Sequence, residues 1–171
     1  MKKILLLLLF IPILCFGQNQ YKSSKMRFIY PNEYKQKSSR IIQDVNVKLV
    51  NKDYSQSENI IVNITNEYSS ISDVDKQNHI NQSIKEVELA AKALNSKYES
   101  KVLNYETKTI YGKNVITTLI KSNIIDYDIV LYQLQYLYVK KGKVCYIIVS
   151  YDEENDYSHI ADFILKDFKF L

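Results

Sequence analysis

The sequence predicts an α+β fold: a central antiparallel β-sheet flanked by one long helix and a short C-terminal helix. Three observations predict it. Two pairs of strand-like runs flank turns built on Gly112 ("YGKN") and Gly142 ("KKGK"). Ile80, Ile84, Val87, Ala91, Leu94 and Tyr98 recur at alternating steps of four and three, a helical stripe. Near the end, Tyr157, Ile160, Ala161 and Ile164 form a shorter stripe.

The chain opens "MKKILLLLLFIPILCFGQ". Lys2 and Lys3 precede an apolar run, and Cys15 and Gly17 are the small residues at −3 and −1 of a cut before Gln18. That is the three-part pattern of a secretory signal peptide over residues 1–17, cleaved between Gly17 and Gln18. As a helix, Ile4 to Phe16 reaches only about 20 Å, against a hydrocarbon core of about 30 Å. No later run reaches spanning length, so no transmembrane helix is expected in the mature chain. A lipoprotein anchored at Cys15 is the competing reading. A lipid attachment signal wants a small residue just before the Cys, and here Leu14 and Ile13 are bulky.

Gln18 to Ser24 is polar and reads as a short flexible lead-in. Residues 25–171 then form one domain, long enough for a sizeable core. "MRFIYP" is a strand from Met26 to Tyr30, stopped by Pro31. "NEYKQKSS" reads as a connection. "RIIQDVNVKLV" alternates at Val45, Val47 and Leu49, and Ile60 to Tyr68 is a further strand. Ser72, Asp73 and Asp75 are N-cap candidates for the long helix, with acid at the positive end of its dipole. "SKVLNYETKTI" and "NVITTLIKS" form one hairpin. "DYDIVLYQLQYLYV" and "VCYIIVSYD" form the second. A two-residue loop at Lys141-Gly142 places Lys140 opposite Lys143, Val139 opposite Val144 and Tyr138 opposite Cys145. Tyr132, Leu134, Tyr136 and Tyr138 then share a face with Cys145, Ile147, Val149 and Tyr151. That face lacks the Gln and Ser residues and is assigned to the helix-covered core. Asn155 or Asp156 caps the last helix, and "KDFKFL" closes the chain as a brief strand.

Charge and cysteine usage narrow the function classes. Without Lys2 and Lys3, the 23 basic residues fall to 21 against 19 acidic ones. So even a balance offers no global field for nucleic acid. Lys22, Lys25, Arg27, Lys35, Lys37 and Arg40 face Glu33 alone. A docking patch for an acidic partner is one reading. A solvated edge that blocks strand-to-strand aggregation is the preferred one. With the leader gone, Cys145 is the lone cysteine and no internal disulfide forms. Cys145 with His159 would be a thiol nucleophile and base, but the face assignment buries Cys145 as a small hydrophobe. His79 has no second His or Cys at ligand spacing and reads as an exposed helix residue. Asp152, Glu153, Glu154 and Asp156 lack the alternation and central Gly of a Ca²⁺ loop, and suit a helix N-terminus. Asp126 and Asp128 read as a polar turn. Three glycines, at 17, 112 and 142, leave no phosphate-binding loop or G-x-S-x-G. No catalytic residue, cofactor or metal site is expected.

The order of elements resembles a known family. An exported leader, "FIYP" as a strand end, "NIIVNI", a long helix, "YGKNVITT", "GKVCYIIVSYD", a short helix and a closing "DFKF" are similar to the PsbP-like fold, which includes the DcrB-like envelope proteins. The resemblance runs from Met26 to Leu171. It implies an α/β/α sandwich and, since such proteins are mostly non-catalytic, an accessory or binding role rather than an enzyme. The expected function is an exported, periplasmic or secreted protein of the bacterial envelope. It would act through contacts with an envelope protein partner, without nucleic acid. The alternatives are a carrier of a small apolar ligand between helix and sheet, and an enzyme using Cys145.

Overall fold

The computed structural model describes residues 18–37, 47–53, 59–93, 95–152 and 157–171, with backbone alone at 86, 87, 90, 91 and 93. The expected leader, Val45, Arg40 and the caps Asn155 and Asp156 lie outside the described residues, as do Glu153 and Glu154.

Among the described residues, ten strands and two α-helices follow in order: β1 (Gln18–Lys22), β2 (Met26–Pro31), β3 (Tyr34–Lys37), β4 (Val47–Asn51), β5 (Asn59–Thr65), α1 (Lys76–Ala93), β6 (Tyr98–Ile110), β7 (Lys113–Ile124), β8 (Ile129–Lys140), β9 (Lys143–Tyr151), α2 (Ser158–Asp167) and β10 (Lys169–Phe170). Seven strands form the central sheet in the order β3-β4-β5-β9-β8-β7-β6, and every neighbouring pair is antiparallel. A smaller sheet runs β1-β2-β10. The protein is α+β, as the sequence predicts.

Turn chemistry sets the two long hairpins. Tyr111 and Gly112 have φ of 49° and 71°, and Lys141 and Gly142 have φ of 52° and 76°. Two successive left-handed residues make the turn whose twist matches the flanking strands, and glycine accepts that backbone without strain. The second loop closes as the sequence predicts, with Tyr138 opposite Cys145 and Lys140 opposite Lys143.

Both faces of the central sheet are covered. On the first, Tyr132, Tyr136, Cys145, Ile147 and Val149 pack against Met26, Phe28 and Tyr30 of β2 and Ile160, Ala161, Ile164 and Leu165 of α2. Burying each large apolar side chain contributes about 1.5–3 kcal/mol, so this layer dominates the fold's stability. The cover on this face is therefore the short helix and the small sheet. The long helix lies on the opposite face, the one that carries Gln133, Gln135 and Ser150. There Ser83 Oγ donates to Gln135 Oε1 at 2.6 Å.

That contact corrects two sequence expectations. Among the α1 residues whose side chains are described, His79 and Ser83 are buried, while Ile80 and Ile84 of the expected stripe are half-buried. His79, expected to be exposed, is only 1% exposed, between Tyr105 and Tyr146. Tyr98 belongs to β6 rather than the helix, because Asn95 at φ 53° has already ended it. Asp75 is the working N-cap: its Oδ1 accepts the Asn78 backbone N–H at 2.7 Å. Two further segments differ. Gln18–Lys22 is a paired strand rather than a flexible lead-in, and "YKQK" is a strand rather than a connection.

Candidate functional site

Three chain turns meet at one end of the molecule. The β6–β7 hairpin brings Lys113. The β8–β9 hairpin brings Tyr138, Lys140, Lys141 and Lys143. The end of α2 and β10 bring Lys166, Phe168, Lys169, Phe170 and Leu171. Together they line an open cavity of about 530 Å³.

Its floor is aromatic. Tyr138 stacks on Phe170 with centroids 5.7 Å apart, and Phe168 meets Phe170 edge-on at 5.0 Å. Tyr138 and Phe168 are buried and Phe170 is half-buried, so part of the floor reaches the cavity. Six lysines surround it. Lys113 Nζ donates to the Lys166 carbonyl at 3.1 Å, and Lys143 Nζ donates to the main-chain oxygen of Leu171 at 2.7 Å. Each ammonium has three donors, so both keep capacity for a ligand. Among the described residues the ion pairs are Lys92 with Glu88 and Lys108 with Glu106. None of the six pocket lysines pairs with a described Asp or Glu.

The electrostatic cost is visible at Lys113. Burial is the main cause that lowers its pKa, and repulsion from Lys140 and Lys169 adds to it, while Asp167 works in the opposite direction. The positive surface continues outward across the small sheet. Lys22 stands opposite Arg27, and Lys169 stands opposite Arg27 on its other side. Like charges directly opposite on a sheet are destabilising. Here three lie in one row, beside the pocket.

The residues singled out from sequence fall elsewhere. Cys145 is fully buried, and burial pushes its thiol pKa well up. His159 is exposed on α2. His79 is buried with neither ring nitrogen hydrogen-bonded, and burial lowers its pKa. Asp152 is exposed. Asp126 Oδ2 accepts the Lys97 backbone N–H at 3.0 Å, a turn contact. Among the described residues, no group of three or more His, Cys, Asp and Glu can hold a metal ion. No described helix is long and apolar enough to cross a membrane. Of the basic segment read as a solvated edge, Lys22, Lys25 and Arg27 adjoin the pocket through β10, where the Leu171 N–H donates to the Lys25 carbonyl. Lys35 and Lys37 lie on β3 at an edge of the central sheet.

A second cavity, of about 600 Å³, lies between β6 and α2, with Glu106, Lys108, Tyr136 and Tyr157 in its lining. Its charges neutralise each other, since Lys108 and Glu106 pair at 3.3 Å. The lysine pocket is therefore the charge-defined site. Sequence reading passes over it because its lysines come from separate turns and the chain as a whole is nearly neutral. The signal lies in "YGKN", "KKGK" and "KDFKF", three lysine-bearing ends of strands with one acid among them.

No family model and no curated protein matches the chain. Among solved structures it is similar to the solution structure of cyanobacterial PsbP (CyanoP) from Synechocystis sp. PCC 6803. That likeness has a TM-score of 0.62 and 16% identity, over 94% of this chain and 96% of that one. A crystal structure from Bacteroides thetaiotaomicron VPI-5482 is similar at a TM-score of 0.57 and 9% identity, over 85% of this chain. The chain spans 45% of that protein's length. The protein has a PsbP-like fold.

Proposed function

We propose that the protein is a non-catalytic accessory protein, exported to the bacterial envelope, that works by binding another protein. One observation carries the reading: six lysines that pair with no described Asp or Glu ring an aromatic-floored pocket at one end of the fold. Holding like charges together costs stability, and an anionic partner offsets that cost on binding. Aromatic side chains at the centre of a charged rim are the residue types that anchor protein interfaces.

The leader supports export. A carrier of an apolar ligand is less well supported. Between α2 and β2 the space is filled by Met26, Phe28 and Ile164, each 1% exposed or less, and the cavity between β6 and α2 carries the Lys108–Glu106 ion pair.

Crosslinking in the protein's own cells, followed by capture under denaturing conditions, tests the proposal. One protein recovered in near-equal amount is the expected result. Recovery of nothing above an untagged control overturns it. The intact mass of the captured form checks export: a start at Gln18 is expected, and a diacylated Cys15 overturns simple secretion.

A further inference from the structure

We infer that the lysine pocket receives an acidic stretch of the partner chain that also carries an aromatic side chain. The carboxylates meet the lysine rim and the ring lies on Phe170 and Tyr138. This rests on the reading of the protein as a protein-binding module, and adds what the partner must present.

Charge is the first argument. Lys113, Lys140, Lys141, Lys143, Lys166 and Lys169 pair with no Asp or Glu among the described residues, and the Lys22–Arg27–Lys169 row extends the positive surface beyond the rim. The occupant is therefore anionic over more than one residue. Lysine is a strongly hydrated point charge that holds a carboxylate without the bidentate geometry of arginine.

The floor is the second argument. A purely ionic site has no use for an aromatic base. Here Phe170 is half-buried over Tyr138. A ring laid on Tyr138 and Phe170 recovers apolar area and edge-to-face contact.

Shape separates the macromolecular classes. Single-stranded nucleic acid wants a groove that tracks its backbone, with exposed rings for successive bases. Of this pocket's rings, Tyr138 and Phe168 are buried and Phe170 is half-buried. A bilayer surface would need those rings to protrude. A side chain flanked by carboxylates fits such a cavity.

The test uses the exported chain and a fluorescent peptide, Glu-Glu-Asp-Phe-Glu-Glu, followed by anisotropy. Oligothymidine, phosphatidylglycerol vesicles and inorganic phosphate are compared with it. Saturable peptide binding is expected, weaker by about tenfold or more when Ala replaces the peptide Phe. The protein variants are Lys141→Asn and Lys169→Gln. Asn suits the left-handed backbone at 141 better than Lys, so Lys141→Asn removes a charge without harming the turn. A tenfold loss of affinity in the double variant, about 1.4 kcal/mol, is expected with an unchanged or raised melting temperature. Equal binding of the Ala peptide, equal binding by the double variant, or tighter binding of oligothymidine, vesicles or phosphate overturns the inference. Failure here is distinguishable from failure of the accessory role. A partner captured in cells whose crosslinking ignores the double variant leaves the role and removes this pocket. Peptide binding with no partner in cells does the reverse.

Discussion

Lys113 Nζ donates to the main-chain carbonyl of Lys166 at 3.1 Å, tying the β6–β7 hairpin to the last turn of α2. The carbonyl lies at the negative end of the helix dipole, which favours a cation there. The bond holds one lysine of the rim in place. Lys113→Met loses a hydrogen bond worth about 0.5–1.5 kcal/mol and removes a repelled charge. These effects oppose each other. Denaturant unfolding should therefore shift by less than about 1 kcal/mol, while affinity for an acidic peptide falls severalfold. A large stability loss with unchanged affinity would contradict this.

The unpaired lysines make stability depend on salt. Screening weakens repulsion between exposed charges over about 8–10 Å at near-physiological ionic strength. The melting temperature should rise with added sodium chloride. The rise should shrink in the double variant Lys141→Asn, Lys169→Gln. An equal rise in both proteins would place the repulsion elsewhere.

Lys141 occupies a left-handed position, φ 52°, before Gly142. Asn-Gly is the pair this turn prefers. Lys141→Asn should stabilise the protein by about 0.5–1 kcal/mol, read from the denaturation midpoint. A lower midpoint would mean that Lys141 makes a contact that the turn geometry does not reveal.

The two hairpins were legible in the sequence because a left-handed turn nearly demands glycine, and Gly112 and Gly142 are the only glycines after Gly17. The register followed from loop length, down to Tyr138 opposite Cys145. The burial of His79 and Ser83 on α1 is not legible in the sequence. Apolar spacing favours Ile80 and Ile84, which are half-buried, but the sheet face beneath carries Gln135, whose Oε1 accepts from Ser83. β1 and β3 were missed because they are short and mostly polar and lie at sheet edges, where one paired side suffices. The pocket was missed because only the antiparallel return of β7, β9 and β10 gathers its lysines.

His79 gives the protein a predicted acid sensitivity. Burial lowers its folded-state pKa, so the unfolded chain takes up a proton first as pH falls. Its contribution is fully present above the ordinary histidine value of about 6.5. It declines below that until the folded imidazole also protonates. Unfolding free energy should drop on acidification through that window, and the drop should shrink in His79→Leu. An unchanged pH profile in His79→Leu would contradict the assignment.

Cys145 should behave as core. With its thiol fully buried and its pKa raised, reaction with a disulfide reagent should need unfolding. Cys145→Ser should cost about 1–3 kcal/mol, by burying a hydroxyl without a partner. Fast labelling of the native protein would return Cys145 to the list of reactive groups.

The central claim is that the lysine pocket is where a partner's carboxylates sit. Zero-length amine-to-carboxylate crosslinking in the protein's own cells, with the linked peptides mapped, tests it most directly. The account predicts links from Lys140, Lys141, Lys143 or Lys169 to an acidic, aromatic-bearing segment of one partner. Links confined to Lys35, Lys37 or the lysines of α1, or links to no protein, would contradict it.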